Sequence, residues 1–439
     1  MEQPRNSAFA QSASAEPLAR ARARMRMMGL WGPGQHMGRR WPIGCVALEI
    51  TQRCNLDCTA CYLSETSEAL HDLPLEELFR RIAQIRSVYG PGTDVQITGG
   101  DPTLRRAGEL TAIVRRVRES ELRATLFTNG IRATRALLAE LTAAGLEGVA
   151  FHVDTTQQRK GYANENGLNA LRLAYIERAR GLPLAVYFNT TVHSGNFGEL
   201  PALARFFARH SDAVSFASFQ LQAETGRGVL GRRAALITPD SVAAQISAGA
   251  GAPLRFDVFD IGHARCNRFA MGLVANGRVH DLLDEPEFIR WALAETAHLR
   301  FGRARDLGAL KPLLAWALGR PLALARCLGW LARKAWRMKA DLLASRGAAH
   351  KLSFFIHNFM DACNLEQERV EACTFMVATA DGPVSMCAHN ARRDHYLLRP
   401  TPVRGGYWDP VSGRTLGEQA VHPLRLTRKN ARGRARRTA

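Results

Sequence analysis

The stretch "CVALEITQRCNLDCTACY", residues 45–62, joins an apolar run to a loop that holds three cysteines. Its first seven residues are rich in β-branched and apolar side chains, which predicts a buried β-strand. Cys54, Cys58 and Cys61 follow that strand with the spacing C-x3-C-x2-C. A loop of this kind at the end of a strand is typical of α/β folds, whose sites lie at the carboxyl edge of the sheet.

Five further β-type runs follow the first, and segments with the apolar period of helices separate them. The runs are 94–98, 123–128, 148–154, 184–192 and 213–221. Six such β–α units predict a parallel sheet, either doubly wound or curved into a partial barrel.

Polar and glycine-rich groups come directly after these runs, or near their ends. In chain order they are "TGGDP" (98–102), "TNG" (128–130), His152 with Asp154, Asn189 and "ETGRG" (224–228). Because the carboxyl ends of parallel strands meet at one edge, we expect these groups to converge on a single site.

The residues alone leave two interpretations of the three clustered thiols open. A structural zinc ion would need a fourth, remote ligand. An iron–sulfur cube held by three thiolates keeps one iron open for another molecule. The nine cysteines are unevenly spaced, and no apolar signal segment opens the chain. We therefore expect reduced thiols and a cytoplasmic location.

With these loops the chain resembles the radical S-adenosylmethionine (radical SAM) enzymes, whose signature matches Cys54, Cys58 and Cys61 one for one. The resemblance implies a 4Fe–4S cluster on these thiols and SAM bound to the open iron. It implies reductive cleavage of SAM to a 5′-deoxyadenosyl radical that attacks an unactivated C–H bond. It also implies an electron donor such as flavodoxin or ferredoxin, and it assigns no catalytic residue beyond the cofactors.

The resemblance further implies residues that bind SAM. They are Gly99, Gly100, Asp101, Asn129, Asp154, Asn189 and Arg227. The glycine turn with Asp101 would accept from the SAM ammonium, and the Arg227 guanidinium would pair with the carboxylate. His152 is expected near the substrate. The position before the last cysteine, commonly aromatic in this family, is Ala60.

Four later cysteines resemble the SPASM-like extension that carries an auxiliary cluster in many of these enzymes. The pattern over 359–373 and 381–390 resembles the branch with the archaeal tetraether lipid synthases and the class D radical SAM methylases. We expect a second iron–sulfur or other metal centre. Its candidate ligands are Cys266, Cys363, Cys373 and Cys387. Buried apolar thiols are the alternative.

The chain carries a formal net charge of +19, and the segment 307–345 is helical, apolar and basic. This segment either packs on the barrel as a lid or lies on an anionic membrane surface. Together these features favour a hydrophobic or lipid substrate and peripheral contact with the inner membrane surface. Nucleic acid is not expected as a partner, since no aromatic residues interleave the basic runs.

The predicted organisation is an α/β protein with a partial (β/α)6 barrel of TIM type, an auxiliary iron–sulfur domain and a helical insertion. The parts are a basic disordered tail (1–42), the radical SAM barrel (43–235), an auxiliary region with short strands (236–302), a basic amphipathic helical insertion (303–350), a SPASM-like cysteine-bearing region (351–398) and a basic tail (399–439). Two other functions fit the sequence: a SPASM-type maturase that modifies a peptide, and a non-catalytic metal-binding scaffold.

Overall fold

The computed structural model describes residues 16–299 and 311–417. Each of the six predicted strands forms within two residues of its expected bounds. The strands are β1 (Cys45–Thr51), β2 (Asp94–Gly99), β3 (Arg123–Thr128), β4 (Leu146–His152), β5 (Ala185–Val192), β6 (Val214–Leu221), β7 (Asn267–Ala275), β8 (Arg278–Asp281), β9 (His350–Asn358), β10 (Phe375–Thr379), β11 (Gly382–Ser385), β12 (Thr401–Val403), β13 (Gly406–Asp409) and β14 (Arg414–Leu416).

Helices follow the barrel strands and also fill the segments around them. They are α1 (Pro17–Met27), α2 (Leu75–Tyr89), α3 (Ala107–Glu119), α4 (Arg135–Ala144), α5 (Glu165–Ala179), α6 (Leu200–Arg209), α7 (Pro239–Ala250), α8 (Pro286–Glu295), α9 (Lys311–Leu318), α10 (Pro321–Arg337), α11 (Lys339–Ala344), α12 (Gln367–Glu371), α13 (Met386–Ala391) and α14 (Arg393–Leu397). Within the described ranges, no helix is long and apolar enough to cross a membrane.

One sheet of eleven strands holds the molecule together, in the order β11-β10-β1-β2-β3-β4-β5-β6-β9-β7-β8. Strands β1 to β6 are parallel and lie in sequence order. Right-handed crossovers in a constant direction put all the connecting helices on one face, so the sheet curves around the other. The predicted partial α/β barrel is therefore confirmed, and the doubly wound alternative is not.

Alternation along each strand separates the helix-covered core from the interior of the curve. In β1, Val46, Leu48 and Ile50 face the helices and are fully buried. Ala47 and Glu49, between them, line an interior cavity. The same alternation in β2 to β6 directs a second set of side chains inward.

The two ends of the parallel sheet approach each other across this interior. Strand β10 pairs in parallel with β1, and β9 pairs in parallel with β6. The rings of Phe355 in β9 and Phe375 in β10 have centroids 5.8 Å apart. Aromatic packing thus brings β9 and β10 together, although no backbone hydrogen bonds pair these two strands in the described sheet.

The auxiliary region differs from the separate domain that we predicted. Strands β7 and β9 extend one end of the barrel sheet, and β10 with β11 extend the other. Segments 236–299 and 351–398 therefore supply strands that extend the barrel sheet, because each edge strand of the six-strand core offers a free row of backbone groups.

The basic tails are also more structured than predicted. Helix α1 buries Leu18 and Met25, seven residues apart on one face, and the Arg20 guanidinium donates to the Val88 carbonyl. Strands β12 to β14 form a small antiparallel sheet. The prediction of disorder is therefore wrong for 16–42 and 399–417. Residues 1–15 and 418–439 lie outside the described residues, as do 300–302 of the auxiliary region and 303–310 of the helical insertion.

Candidate active site

A cavity of about 220 Å³ lies at the carboxyl edge of the barrel strands. The cysteine loop forms one wall of it and the ends of β2 to β6 form others. Seven of the residues predicted to bind the first cluster or SAM line it, namely Cys54, Cys58, Cys61, Gly99, Gly100, Asn129 and Asn189. His152 lines it as well. The strand ends therefore bring most of the predicted groups to one site.

The glycine turn after β2 packs directly against the start of the cysteine loop. The Gly100 and Asp101 amides donate to the Thr51 and Arg53 carbonyls, at 2.9 and 2.8 Å. A Cβ atom on Gly99 would lie 2.0 Å from the Thr51 carbonyl oxygen, and one on Gly100 2.0 Å from that of Arg53. Gly99 also has a φ of +127°. Only glycine fits this close approach of two backbones.

Two further loops hold the rest of the cysteine loop. The Thr59 amide donates to the Thr156 carbonyl at 2.8 Å, after β4. After β6, the Arg227 amide donates to the Leu63 carbonyl and the Val229 amide to that of Thr59, both at 2.7 Å. Backbone bonds from separate strands thus hold the three thiols in place.

The donor set fits a cluster better than a single ion. Among the described residues, no three His, Cys, Asp or Glu side chains converge as ligands of one metal ion would. The three thiols instead surround a shared cavity, as suits a cube whose irons each take one thiolate. The Arg227 guanidinium lies beside Cys61, and its buried Nη2 lacks a hydrogen-bond partner in the described structure. Such a nitrogen suits an anionic sulfur cluster.

Burial disfavours the thiolate form of two of the three thiols. Burial raises the pKa of Cys58 strongly, and the nearby Asp154 and Cys61 raise it further. Burial also raises the pKa of Cys54. Metal ligation requires thiolates, so loading of this site would release protons and become more favourable as the pH rises.

Three predicted SAM ligands do not line the cavity. Asp101 is fully buried, and its oxygens accept from Thr103, from the Thr128 hydroxyl at 2.8 Å and from the Asn129 amide at 2.8 Å. These bonds tie the glycine turn to β3. The prediction that Asp101 accepts from the SAM ammonium is therefore not supported by its position.

Asp154 and Arg227 are engaged elsewhere in the same way. Asp154 accepts from His152 Nε2 and from the Thr191 amide, both at 2.7 Å. Burial raises the pKa of Asp154, but His152 together with hydrogen bonds from Thr156 and the Thr191 amide outweighs burial and holds that pKa well below its usual range. Arg227 Nη1 donates to Glu68 at 2.8 Å. Asp154 thus orients His152, and Arg227 supports the cysteine loop.

Sequence reasoning missed several polar residues of the cavity. Gln96, Thr191 and Gln220 all line it, each from the inward face of its strand. The missed signal was alternation: in "DVQIT" the polar Gln96 stands between Val95 and Ile97, which face the helices. A polar residue at an inward position of a barrel strand marks the interior as a site.

A buried ion pair lies under the cysteine loop. Arg393 Nη2 donates to Glu49 at 2.6 Å and to Gln52 at 3.0 Å. The same guanidinium lies 4.8 Å from the ring centroid of Tyr62, whose hydroxyl donates to the Gly99 carbonyl at 2.5 Å. The C-terminal helix α14 thereby supports both the cysteine loop and the glycine turn.

The later cysteines divide into a group of three and an isolated one. Cys266, Cys373 and Cys387 line a small cavity beside the first. Arg369 Nε donates to Cys266 Sγ at 3.3 Å, and burial with the other two thiols raises the pKa of Cys387 to about 12. Cys363 is exposed and does not line this cavity. Three of the four predicted ligands are therefore together, without the fourth.

The match to known families is consistent with this geometry. Residues 48–207 match the model of the Radical SAM superfamily. The chain contains a radical SAM domain. Enzymes of this superfamily use a 4Fe–4S cluster and SAM, and the matched segment of this chain holds all three thiols of the cysteine loop.

Curated relatives of this radical SAM domain have different reactions. The 7,8-dihydro-6-hydroxymethylpterin dimethyltransferase of Methanocaldococcus jannaschii is 29% identical over 187 residues, 41% of this chain and 36% of the relative. The probable GTP 3′,8-cyclase of Pyrococcus abyssi is 33% identical over 168 residues, which are 38% of this chain and 53% of the relative. A PqqA peptide cyclase of a Methylobacterium species is 30% identical over 172 residues, which are 37% of this chain and 42% of the relative. The chain thus spans between about a third and about half of each relative.

Solved structures are more distant. SuiB of Streptococcus suis bound to the precursor peptide SuiA superposes with a TM-score of 0.36 at 15% identity, over 49% of this chain and 45% of that one. Methylornithine synthase superposes with a TM-score of 0.36 at 14% identity, over 56% of this chain and 74% of that one.

Proposed function

We propose that the protein is a radical SAM enzyme that functionalises an unactivated C–H bond of a hydrophobic or lipid substrate. One observation carries the proposal: Cys54, Cys58 and Cys61 surround one cavity at the carboxyl edge of the barrel, against a glycine turn. When bound, the 4Fe–4S cluster and SAM supply a radical that abstracts hydrogen. Electrons would come from a donor such as flavodoxin or ferredoxin.

Residues of this chain would bind and orient SAM in the cavity. The carbonyls at Gly99 and Gly100, which line the cavity, would accept from the SAM ammonium, and the Tyr62 hydroxyl donates to the first of them. Asn129 and Asn189 line the cavity where amides suit the ribose hydroxyls. The Arg227 guanidinium lies beside Cys61, and its buried Nη2 would donate to sulfur of a bound cluster.

A second metal centre at Cys266, Cys373 and Cys387 is part of the same proposal. Its small cavity shares Phe359, Met360, Met386 and Cys387 with the first. A cluster held by three thiolates there would lie next to the substrate and would keep one iron open. Cys363 is left out, because its exposed thiol is not among the residues around that cavity.

The interior of the barrel supports an apolar substrate. A cavity of about 570 Å³ fills the curve of the sheet and shares Gln96, Phe127, Asn189 and Gln220 with the SAM cavity. Rings of Tyr187, Phe216, Phe259, Phe269, Phe355 and Phe375 line it. Aromatic and aliphatic walls suit a chain of methylene groups and exclude water from a radical. We call this cavity the aromatic chamber.

The amino-end rim of the aromatic chamber is basic. Arg40, Arg123 and Lys351 line it, against the single acid Asp94 among its lining residues. Arg123 lies over the Trp41 ring, 4.8 Å from its centroid. This arrangement favours a substrate whose apolar chain fills the chamber and whose anionic end lies at the rim.

Filling the aromatic chamber should block an apolar chain without disturbing the SAM cavity. Ser218 lines the chamber, is 3% exposed, and its hydroxyl lacks a partner among the described residues. We expect Ser218→Trp to weaken binding of a fluorescent long-chain fatty acid by about tenfold or more. Leu236→Trp, at an exposed leucine, is the matched control. Equal binding by both variants would contradict the chamber as the chain site.

The reaction type is tested on the iron-loaded protein itself. Anaerobically reconstituted and reduced protein is incubated with SAM, and 5′-deoxyadenosine is measured. We expect the product to form, because the three-thiol site leaves an open iron for SAM. Protein with a filled cluster site that yields no 5′-deoxyadenosine would instead support the metal-binding scaffold.

A further inference from the structure

Helices α9 to α11 expose an unusual amount of apolar surface. Seven large side chains on these three consecutive helices are between 53% and 88% exposed. They are Leu314, Leu318, Leu322, Leu328, Leu331, Trp336 and Leu343. We call these residues the leucine face. A lid that packs its apolar stripe on the barrel would bury such residues, so the packing alternative does not explain them.

Charged contacts hold the inner side of α10 against the protein. Lys334 is the buried residue of this helix and pairs with Asp284. Arg333 pairs with Glu285 at 2.7 Å, and Arg337 pairs with Asp284 at 2.7 Å. The helix is thus oriented by its basic residues, and its apolar residues are left outward.

The outward residues of α10 form a continuous apolar arc. With 3.6 residues per turn, Leu331, Ala335, Leu328, Trp336 and Leu322 fall within about half of the helix circumference. A monomeric soluble protein rarely leaves so wide an apolar arc without a partner.

We propose that the leucine face docks on an anionic lipid bilayer. Residues 311–346 carry eight Lys or Arg and one Asp. Arg320, Arg333, Lys334 and Arg337 pair with acids of the protein, whereas Arg326, Lys339 and Arg346 are exposed and pair with no acid among the described residues. Lys339 Nζ lies 3.6 Å from the ring centroid of Trp336, and both are exposed. An exposed tryptophan and lysine beside leucines is the composition of an interfacial helix. A second copy would bring these basic residues against each other, which disfavours self-association.

Helix α10, which carries four of the seven residues of the leucine face, packs on a helix that reaches the aromatic chamber. Trp330 of α10 stacks on Phe288 of α8, with ring centroids 4.9 Å apart. Leu293 of α8 lines the aromatic chamber, and Arg40 of its rim donates to Thr296, just after α8. Helix α8 thus connects the docking helix to the rim of the chamber. The supply of substrate from the bilayer rests on the proposed function, whereas docking itself does not.

Vesicle flotation of the whole chain tests docking directly, without SAM. We expect the protein to float with phosphatidylcholine vesicles that contain phosphatidylglycerol, and far less with phosphatidylcholine alone. The triple variant Leu322→Gln/Leu328→Gln/Trp336→Gln should lose about tenfold or more of this binding. Leu236→Gln, an exposed leucine outside the leucine face, should bind as the unchanged chain does.

Each other outcome overturns docking at this face. One such outcome is that the unchanged chain does not float, and another is that the triple variant floats as well as the unchanged chain. A third is that light scattering shows a dimer of the unchanged chain and a monomer of the triple variant. Formation of 5′-deoxyadenosine, measured on the same proteins in solution, reports the proposed function separately. Retained flotation without that product would overturn the proposed function and leave docking intact.

Discussion

Replacing Cys58 by alanine is expected to abolish 5′-deoxyadenosine formation and to remove the iron of the first site, about four atoms per chain. Cys58 lines the SAM cavity between the other two thiols in sequence, and burial raises its pKa. No described His, Cys, Asp or Glu group completes a three-ligand metal site that could replace it. The measurement is product by chromatography, with iron content and low-temperature EPR of the reduced protein with and without SAM.

Variants of the later cysteines provide the matched controls for Cys58→Ala. Cys373→Ala should keep the SAM-sensitive EPR signal and lose a second signal, because Cys373 lines the neighbouring small cavity. Cys363→Ala should change neither signal, since its thiol is exposed and apart from both cavities. Product formation by Cys58→Ala at the unmodified rate would contradict the assignment of the cysteine loop.

Replacing Arg393 by methionine is expected to cost about 3–5 kcal/mol in the free energy of unfolding. Glu49 is 5% exposed and Arg393 3% exposed, so the substitution leaves a carboxylate buried without its cation. Tyr62, which lies against the same guanidinium, would also lose its support. Urea unfolding measures the change, and iron retention during unfolding shows whether the cysteine loop loosens with it.

Two comparisons separate this buried pair from ordinary surface charge. Glu49→Gln combined with Arg393→Met should be less destabilising than the sum of the single changes, since neither charge is then left alone. Arg399→Met breaks an exposed pair with Asp381, 57% and 67% exposed, and should cost less than about 1 kcal/mol. Equal costs for Arg393→Met and Arg399→Met would refute a structural role of the pair.

The pair also has a pH signature. Burial raises the pKa of Glu49, but Arg393 and His389 outweigh burial, and the net shift is downward. A carboxyl whose folded pKa is depressed stabilises the fold above its unfolded pKa of about 4.3, and that stability is lost as the pH falls. Arg393→Met should therefore lessen the acid dependence of stability that Glu49 contributes.

The local signals in the sequence were enough for the barrel core and for the cysteine loop. Strands β1 and β3 have the predicted bounds, because apolar alternation and flanking turn residues are local properties. The spacing of Cys54, Cys58 and Cys61 set their common cavity, since a short loop after one strand keeps its thiols together.

Partners distant in sequence decided the rest. Asp101 is buried and does not line the cavity, because its carboxylate accepts hydrogen bonds from the Thr128 hydroxyl and the Asn129 amide at the end of the next strand. Cys373 lies with Cys266, about a hundred residues away, and not with Cys363, ten residues away, because β7 and β10 both begin at the same small cavity. Strand pairing sets such neighbours, and pairing has no local signal.

The sequence is enough to predict a basic amphipathic segment before β9, but its apolar and charged faces do not indicate which of them points outward. The orientation of α10 comes from contacts made in the folded chain. Asp284 and Glu285, about fifty residues earlier in the chain, pair with Arg333, Lys334 and Arg337 and hold the charged side inward. The apolar side is exposed because an ion pair with a fixed partner orients a helix where periodicity alone cannot.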